Sequence, residues 1–236
     1  MSLPDYAGLT RDDPNPLKRW VQRRRLDDAL AALPPALQPR LIIDYGAGDG
    51  ELACRLAKRF PEARVVAFEP TPQFADAARG RGCIVVEDER DLPTSADLIV
   101  CTEVFEHLPP AEEAAALDVM AQLLAPGGTL LVGVPVETGP PALIKGAFRR
   151  ARRQPEASWP AVWRAFRARP GARRGEVDLA GRNYHPSHIG FDQEAFAARL
   201  SRHLGPVARR GSPLSLAPSW ANAELYLLAR KEPSRG

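Results

Sequence analysis

Between residues 41 and 136 the chain alternates short apolar runs with amphipathic stretches, and that alternation leaves few folds open. "RLIIDYG", "RVVAFEP", "CIVVED", "ADLIVCTE" and "GTLLVGVPVE" carry their apolar residues consecutively rather than at every second position. Strands of this kind are buried on both faces, as in a parallel sheet covered by helices. The intervening "ELACRLAKRF", "TPQFADAARG" and residues 111–124 read as helices, with Leu52, Leu56 and Phe60 in register on the first. Further on, Asp192 is placed to cap a helix over 193–204. "PVARRGSPLSL" and "ANAELYLLARK" predict two strands joined by a short turn. The expected architecture is a doubly wound, Rossmann-like α/β fold, with a mostly parallel seven-stranded sheet and an antiparallel C-terminal strand.

Two segments fall outside the alternation. Residues 1–16 are polar and proline-rich and predict a loop or arm, followed by a helix over 17–33 that carries Leu17, Trp20, Val21 and Arg24 on one face. Residues 138–182 hold "LIKGAFRRARRQ" and "WPAVWRAFRARPGARR", which predict two short helices inserted as a cap. No internal repeat is visible, and 236 residues fit one domain that includes the 1–36 arm and helix and the 138–182 insert.

Composition narrows the class. Hydrophobic residues at 44% and charged residues at 26% are ordinary for a globular protein, and a net charge of +3 is too small to make the whole chain a nucleic-acid binder. Cys54, Cys83 and Cys101 show no CxxC spacing, and two lie within apolar runs, which predicts buried thiols in a reducing compartment. "MSLPDYAGLT" lacks the basic and apolar regions of a signal peptide, and no apolar run approaches the roughly 18 residues that span a bilayer. The expected location is the cytoplasm.

The most informative loop follows the first strand, in "LIIDYGAGDG". Ligands of an open parallel sheet bind at the carboxyl ends of its strands, and a helix beginning near Gly50 would turn free N–H groups toward a ligand. A phosphate-binding P-loop needs GxxxxGK[ST], which does not occur. The dinucleotide pattern G-x-G-x-x-G is met by Gly46 and Gly48, but Glu51 occupies the third position, where it packs poorly and repels pyrophosphate. The pattern present is D-x-G-x-G-x-G, from Asp44 to Gly50, which lets a bulky zwitterion lie against the backbone with Asp44 facing its ammonium group. Glu69 ends the second strand, 23 residues beyond Gly46, where a carboxylate can accept both hydroxyls of a ribose. An adenosine ligand follows from Glu69, and the glycine spacing favours S-adenosylmethionine over a nicotinamide cofactor.

Taken in order, "LIIDYGAGDG", "VVAFEP", "VVEDERDLP", "ADLIVCTEVFEHL" and "LLAPGGTLLVGVP" resemble the class I S-adenosylmethionine-dependent methyltransferases, in particular the broad group whose fourth motif reads E-V-x-E-H. The resemblance implies S-adenosyl-L-methionine as cofactor. It places Asp44, Gly46, Ala47 and Gly48 around the methionine portion, Glu69 on the ribose, and Pro70, Asp88 and Glu89 around the adenine. Thr102 and Glu103 would close the sulfonium side. Tyr45 and Glu87 depart from the common pattern: Tyr45 is expected to be harmless, while Glu87 weakens the positions of Asp88 and Glu89.

Methyl transfer is an in-line displacement, so the protein mainly aligns the nucleophile, and a hydroxyl or amine acceptor gains from proton removal. Histidine suits that role, and His107, His185 and His188 are the candidate catalytic residues. His203 stands in the last turn of its helix and reads as structural or exposed. Glu103, Glu106, His107 and His188 also resemble the E-x-x-E-H…H set with which small-RNA 2′-O-methyltransferases hold a divalent metal; Mn²⁺ or Fe²⁺ suits such a set better than Mg²⁺.

The insert is strongly basic. Lys145, Arg149, Arg150, Arg152, Arg153, Arg164, Arg167, Arg169, Arg173 and Arg174 face the single acid Glu156 between residues 145 and 174, with Trp159 and Trp163 among them. This is a solvated amphipathic cap, a site for an anionic acceptor such as a phosphorylated sugar or acidic lipid headgroup, or an RNA footprint. The absence of a recognised RNA-binding module favours the small anionic acceptor over RNA. The expected activity is methylation of an oxygen or nitrogen on a small-molecule, sugar-linked or lipid-like acceptor. RNA 2′-O-methylation and a non-catalytic cofactor-binding fold are the alternatives. No motif fixes the oligomeric state.

Overall fold

The computed structural model describes residues 16–151, 158–167, 177–179, 182–185, 188 and 190–233. The polar arm expected over 1–16 therefore lies outside the described residues apart from Pro16, as do Arg152, Arg153, Arg169, Arg173 and Arg174. The chain divides into two compact units, one of Met1–Cys101, Gln122–Leu131 and Lys231–Gly236, the other of Thr102–Ala121 and Val132–Arg230.

The first unit contains α1 (Pro16–Ala32), β1 (Leu41–Tyr45), α2 (Glu51–Arg59), β2 (Arg64–Phe68), α3 (Pro72–Gly80), β3 (Ile84–Val86) and β4 (Ala96–Thr102) up to Cys101. β1 pairs in parallel with β2, from Leu41 against Arg64 to Tyr45 against Phe68, and on its other side with β4, from Ile42 against Leu98 to Asp44 against Val100. Ile42, Ile43, Val66, Leu98 and Ile99 are fully buried, which is what the consecutive apolar runs require. Each such side chain contributes about 1.5–3 kcal/mol. In α2, Leu52, Ala53 and Leu56 are buried, while Glu51 and Arg55 pair on the outer side at 2.9 Å. Pro72 starts α3 at a position where its missing N–H is no loss.

The second unit contains a 3₁₀ turn (Phe105–His107), most of α4 (Pro110–Leu123), the later part of β5 (Leu124–Pro135), α5 (Pro140–Ala151) and α6 (Trp159–Phe166). It continues with β6 (Val177–Leu179), β7 (Arg182–Tyr184), α7 (Gln193–Leu204), β8 (Val207–Ser212) and β9 (Glu224–Arg230). The Asp192 carboxylate caps α7, accepting the N–H groups of Glu194 and Ala195 at 3.0 Å each. Phe196 on the buried face of α7 packs against Phe105 and Phe191, with ring centroids 4.7 and 5.8 Å away.

The seven-stranded sheet has the order β3-β2-β1-β4-β5-β9-β8, with six parallel strands and β9 antiparallel, and β6 with β7 forms a separate antiparallel pair. The doubly wound fold read from the sequence is the fold observed, with both cap helices in place.

Two details differ. The β6–β7 pair was not expected, because three-residue strands are too short to show a period. The expected short turn between the last strands is a longer excursion, residues 213–223, containing a 3₁₀ turn (Ser219–Ala221). Buried Asn222 organises it: its Oδ1 accepts the Leu214 N–H at 2.7 Å, and its Nδ2 donates to the carbonyls of Leu214 and Pro218. Among the described residues no helix is long and apolar enough to cross a membrane.

Candidate active site

Three glycines after β1 take left-handed backbone conformations, Gly46 at φ 77°, Gly48 at 54° and Gly50 at 78°. A side chain on these residues would be strained, and at Gly50 a Cβ would also lie 2.7 Å from Cys83 Sγ and 2.9 Å from Ala78 Cβ. The loop keeps its own amides busy. Gly46 and Ala47 both donate to the Phe68 carbonyl at 2.9 Å, Gly48 donates to Glu69 Oε2 at 2.9 Å, and Gly50 donates to the Ala47 carbonyl at 3.0 Å. Two of the first amides of α2, which were expected to be free and turned to the ligand, are taken as well, Glu51 by Asp49 Oδ1 at 3.3 Å and Ala53 by Asp44. A loop whose amides are spent internally is no anion nest, and it offers a glycine-lined backbone surface instead.

Asp44 is buried near the end of β1, within hydrogen-bond reach of the first turn of α2. Its carboxylate accepts the Ala53 N–H, while Oδ2 is buried and has no hydrogen-bond partner among the described residues. Burial pushes its pKa up to about 7, the Ala53 bond opposes the rise, and the charge of Glu69 adds to it. Glu69, also buried, accepts the Gly48 N–H on one oxygen and the Thr71 N–H on the other, at 2.9 and 2.8 Å. Burial raises its pKa against these bonds. The Thr71 side chain bonds the same carboxylate, so three of its four acceptor positions are taken and one remains.

The expected adenine side is more committed. Pro70 is half-buried beside Glu69. Asp88 caps the 3₁₀ turn Glu89–Asp91 through the Arg90 N–H at 2.9 Å and pairs with the Arg90 guanidinium at 2.5 Å. Glu89 accepts the hydroxyl of Tyr45. Tyr45 is thus not a neutral departure from the pattern: it is buried against Phe68 and holds one of the expected ligand carboxylates.

In the second unit, Thr102 and Glu103 are half-buried. Glu103 adopts φ 61° and donates its N–H to the Gly133 carbonyl at 3.2 Å. A glutamate in this region carries roughly 1–2 kcal/mol of strain, and such strain gathers at functional positions. The 3₁₀ turn that follows sets buried Glu106 beside His107. His107 Nδ1 lies 2.8 Å from the His185 carbonyl. A carbonyl can only accept, so Nδ1 carries the proton, and the basic atom of neutral His107 is Nε2. That atom lies 3.1 Å from His188 Nε2, the two rings meeting edge to face. Glu106, His107 and His188 each present an atom within 4.8 Å of the others, a spacing able to hold a metal ion; Glu103 stands outside this group of three.

The described methyltransferase domain family matches residues 17–173. The chain belongs to that family. This methyltransferase is 31% identical over 215 residues to malonyl-[acyl-carrier protein] O-methyltransferase of Geobacter sulfurreducens, covering 81% of this chain and 78% of the relative. It is 35% identical over 119 residues to trans-aconitate 2-methyltransferase of Methylobacterium radiotolerans, covering 48% and 45%. Several curated relatives are matched over only about half of their own length, 45% and 51% in two cases. Among solved structures, the N-methyltransferase NodS of Bradyrhizobium japonicum superposes with TM-score 0.57 at 19% identity, over 93% of this chain and 99% of that one. An O-methyltransferase family protein of Burkholderia thailandensis gives 0.58 at 18%, over 92% and 57%. At these identities the superpositions establish the fold.

The methyltransferase domain uses S-adenosylmethionine, which supplies an activated methyl group on a sulfonium. Its residues fit that cofactor: the buried, otherwise unmatched Oδ2 of Asp44 suits a cationic amino group, and Glu69 keeps acceptor capacity for hydroxyls.

Three features of the methyltransferase had no clear sequence signal. The half-buried thiols of Cys54 and Cys83 lie 3.5 Å apart and straddle Gly50, whereas only Cys101 is deeply buried as expected. Glu137, two residues past β5, is buried and takes Arg149 in a two-point bond at 2.7 and 2.9 Å with Lys145 at 3.0 Å. Burial alone would raise the Glu137 pKa, but Lys145 and Arg149 hold it down at about 2. His185 acts on His107 through its backbone. His203 pairs with Asp118 at 3.4 Å, and Arg24 with Asp28 at 3.1 Å.

Proposed function

We propose that this enzyme transfers the methyl group of S-adenosylmethionine to an oxygen of a small or lipid-like anionic acceptor, with nitrogen the alternative nucleophile. The observation that carries the reading is the His107–His188 pair. His185 fixes the His107 tautomer so that Nε2 is basic, and His188 shares that position at 3.1 Å. A positioned imidazole that takes the acceptor proton is worth about 10²–10⁴-fold. The O-methyltransferase relative that matches most of the chain supports an oxygen acceptor. Exposed Arg150 of α5, Arg164 of α6 and Arg167 just beyond it support an anionic one.

In the same reading Asp44 neutralises the cofactor's ammonium group, and Gly46, Ala47 and Gly48 give its amino-acid portion room against the backbone. Glu69 binds the ribose, and Pro70, Asp88 and Glu89 border the adenine. Methyl transfer into panels of anionic hydroxyl or carboxyl compounds, amines and RNA oligonucleotides tests the proposal. Oxygen methylation of an anionic compound supports it; transfer confined to amines selects the nitrogen alternative, and transfer confined to RNA overturns it.

A second reading has a specific observation behind it. Glu106, His107 and His188 would hold a divalent ion, and the His107 Nδ1–H bond to a backbone carbonyl is the usual support of a metal-bound imidazole. The ion would act as a Lewis acid on the acceptor oxygen. Activity lost to chelator and restored by Mn²⁺ supports this reading and reopens RNA as acceptor. Full activity in excess chelator ends it.

A further inference from the structure

Among the described residues, eight large apolar side chains are prominently exposed, and seven of them lie on α5, α6 and the 213–223 loop: Ile144, Phe148, Trp159, Trp163, Leu214, Leu216 and Trp220. They range from 49% to 100% exposed, with Leu216 the extreme. Chance scatter over a surface does not concentrate apolar residues in this way, and concentrated patches mark interaction sites.

The helices present these residues by design of spacing. Ile144 and Phe148 are four apart on α5, as Trp159 and Trp163 are on α6, so each pair shares one helix face. The opposite faces are filled: Ala142, Val162 and Ala165 are buried, and a Cβ on Gly146 would lie 2.5 Å from Val162. The loop joins this layer where Trp220 comes within contact of the Gly139 position at the start of α5.

Charge identifies the occupant. Exposed Arg150, Arg164 and Arg167 flank the apolar residues, and Arg150 and Arg167 stand over the Trp159 and Trp163 rings at 5.1 and 5.0 Å. The surrounding sequence adds five more arginines between 152 and 174 with one acid. The 213–223 loop, by contrast, contains no charged residue. Apolar side chains that enter an acyl layer, arginines that remain at headgroup level, and an uncharged tip between them are the pattern of an interfacial surface. RNA fits less well, since Ile144, Leu214 and Leu216 have nothing to stack on a base and both tryptophans already carry a guanidinium on one face.

We infer that the outer faces of α5 and α6, with the 213–223 loop, form a docking surface for an anionic phospholipid bilayer. The inference does not depend on which acceptor is methylated. Flotation of the full chain with vesicles tests it, comparing pure phosphatidylcholine with vesicles containing about 30% phosphatidylglycerol. The expected result is retention on the anionic vesicles, a blue shift of tryptophan emission, and release as salt rises toward about 1 M. Ile144→Glu with Phe148→Glu, and separately Leu216→Glu, should each weaken partitioning about tenfold or more at unchanged melting temperature. Arg164→Glu with Arg167→Glu should weaken it on anionic vesicles only. No retention at about 1 mM anionic lipid, or equal retention of the variants, overturns the inference. So does an RNA oligonucleotide or acidic protein that binds through Ile144 and Phe148 while vesicles do not.

Discussion

His107 and His185 clasp each other: the His185 N–H donates to the His107 carbonyl at 2.6 Å, and the His107 ring returns a bond to the His185 carbonyl at 2.8 Å. Two residues 78 positions apart thereby fix one imidazole tautomer through a backbone carbonyl. His107→Ala is expected to lower kcat by about 10²–10⁴-fold with little change in cofactor affinity. His185→Ala keeps the carbonyl and should reduce turnover by less than about tenfold while lowering the melting temperature. Steady-state kinetics beside calorimetric titration with cofactor distinguishes the two.

Asp44 couples cofactor binding to pH. Only its ionised form complements an ammonium group, so affinity for S-adenosylmethionine should rise as pH increases through about 7. The folded-state value exceeds the ordinary 3.8, so the folded protein holds this proton more tightly than the unfolded chain does. The cofactor-free protein therefore loses stability from Asp44 as pH rises from about 4 to about 7, by a few kcal/mol in order of magnitude. Asp44→Asn should bind cofactor weakly at every pH, yet melt above the wild type at pH 8 and level with it near pH 4.

Gly50 is a steric fixed point. Gly50→Ala forces a left-handed alanine against Cys83 and Ala78, at an expected cost of about 2–4 kcal/mol. Urea unfolding measures this directly. A matching loss in cofactor affinity at temperatures where the variant is folded would locate the effect in the loop.

Glu137 should make the protein acid-sensitive. Its folded pKa, held at about 2, lies below the ordinary 4.5, so its stabilisation is fully present above about pH 4.5 and disappears as pH falls toward 2. Glu137→Gln leaves Lys145 and Arg149 without a charged partner and should cost about 2–4 kcal/mol at pH 7. Denaturation from pH 7 to pH 3 should show the gap between variant and wild type narrowing over the lower part of that range.

What the sequence disclosed follows from range. Ile42 and Ile43, or Gly46 through Gly50, announce themselves by neighbours a few positions away, so the buried strands and left-handed loop were legible. Asp192 capping α7 was legible for the same reason. The Tyr45–Glu89 bond, the Cys54–Cys83 approach and the His107–His185 clasp join residues 29 to 78 positions apart, and no local pattern encodes them. The loop amides of Gly46, Ala47 and Gly48 carried no local signal either, because Phe68 and Glu69, which take them, arrive from the next strand.

The Glu137 triad has a mechanical meaning. Lys145 and Arg149, one helical turn apart, grip a single carboxylate two residues beyond the end of β5. Lys145 also donates to the carbonyls of Val136 and Ala223 at 3.0 and 3.3 Å, so α5 cannot slide along its own axis without parting this whole set of bonds. Load applied to the outer face of α5 is thus delivered to the end of a central strand.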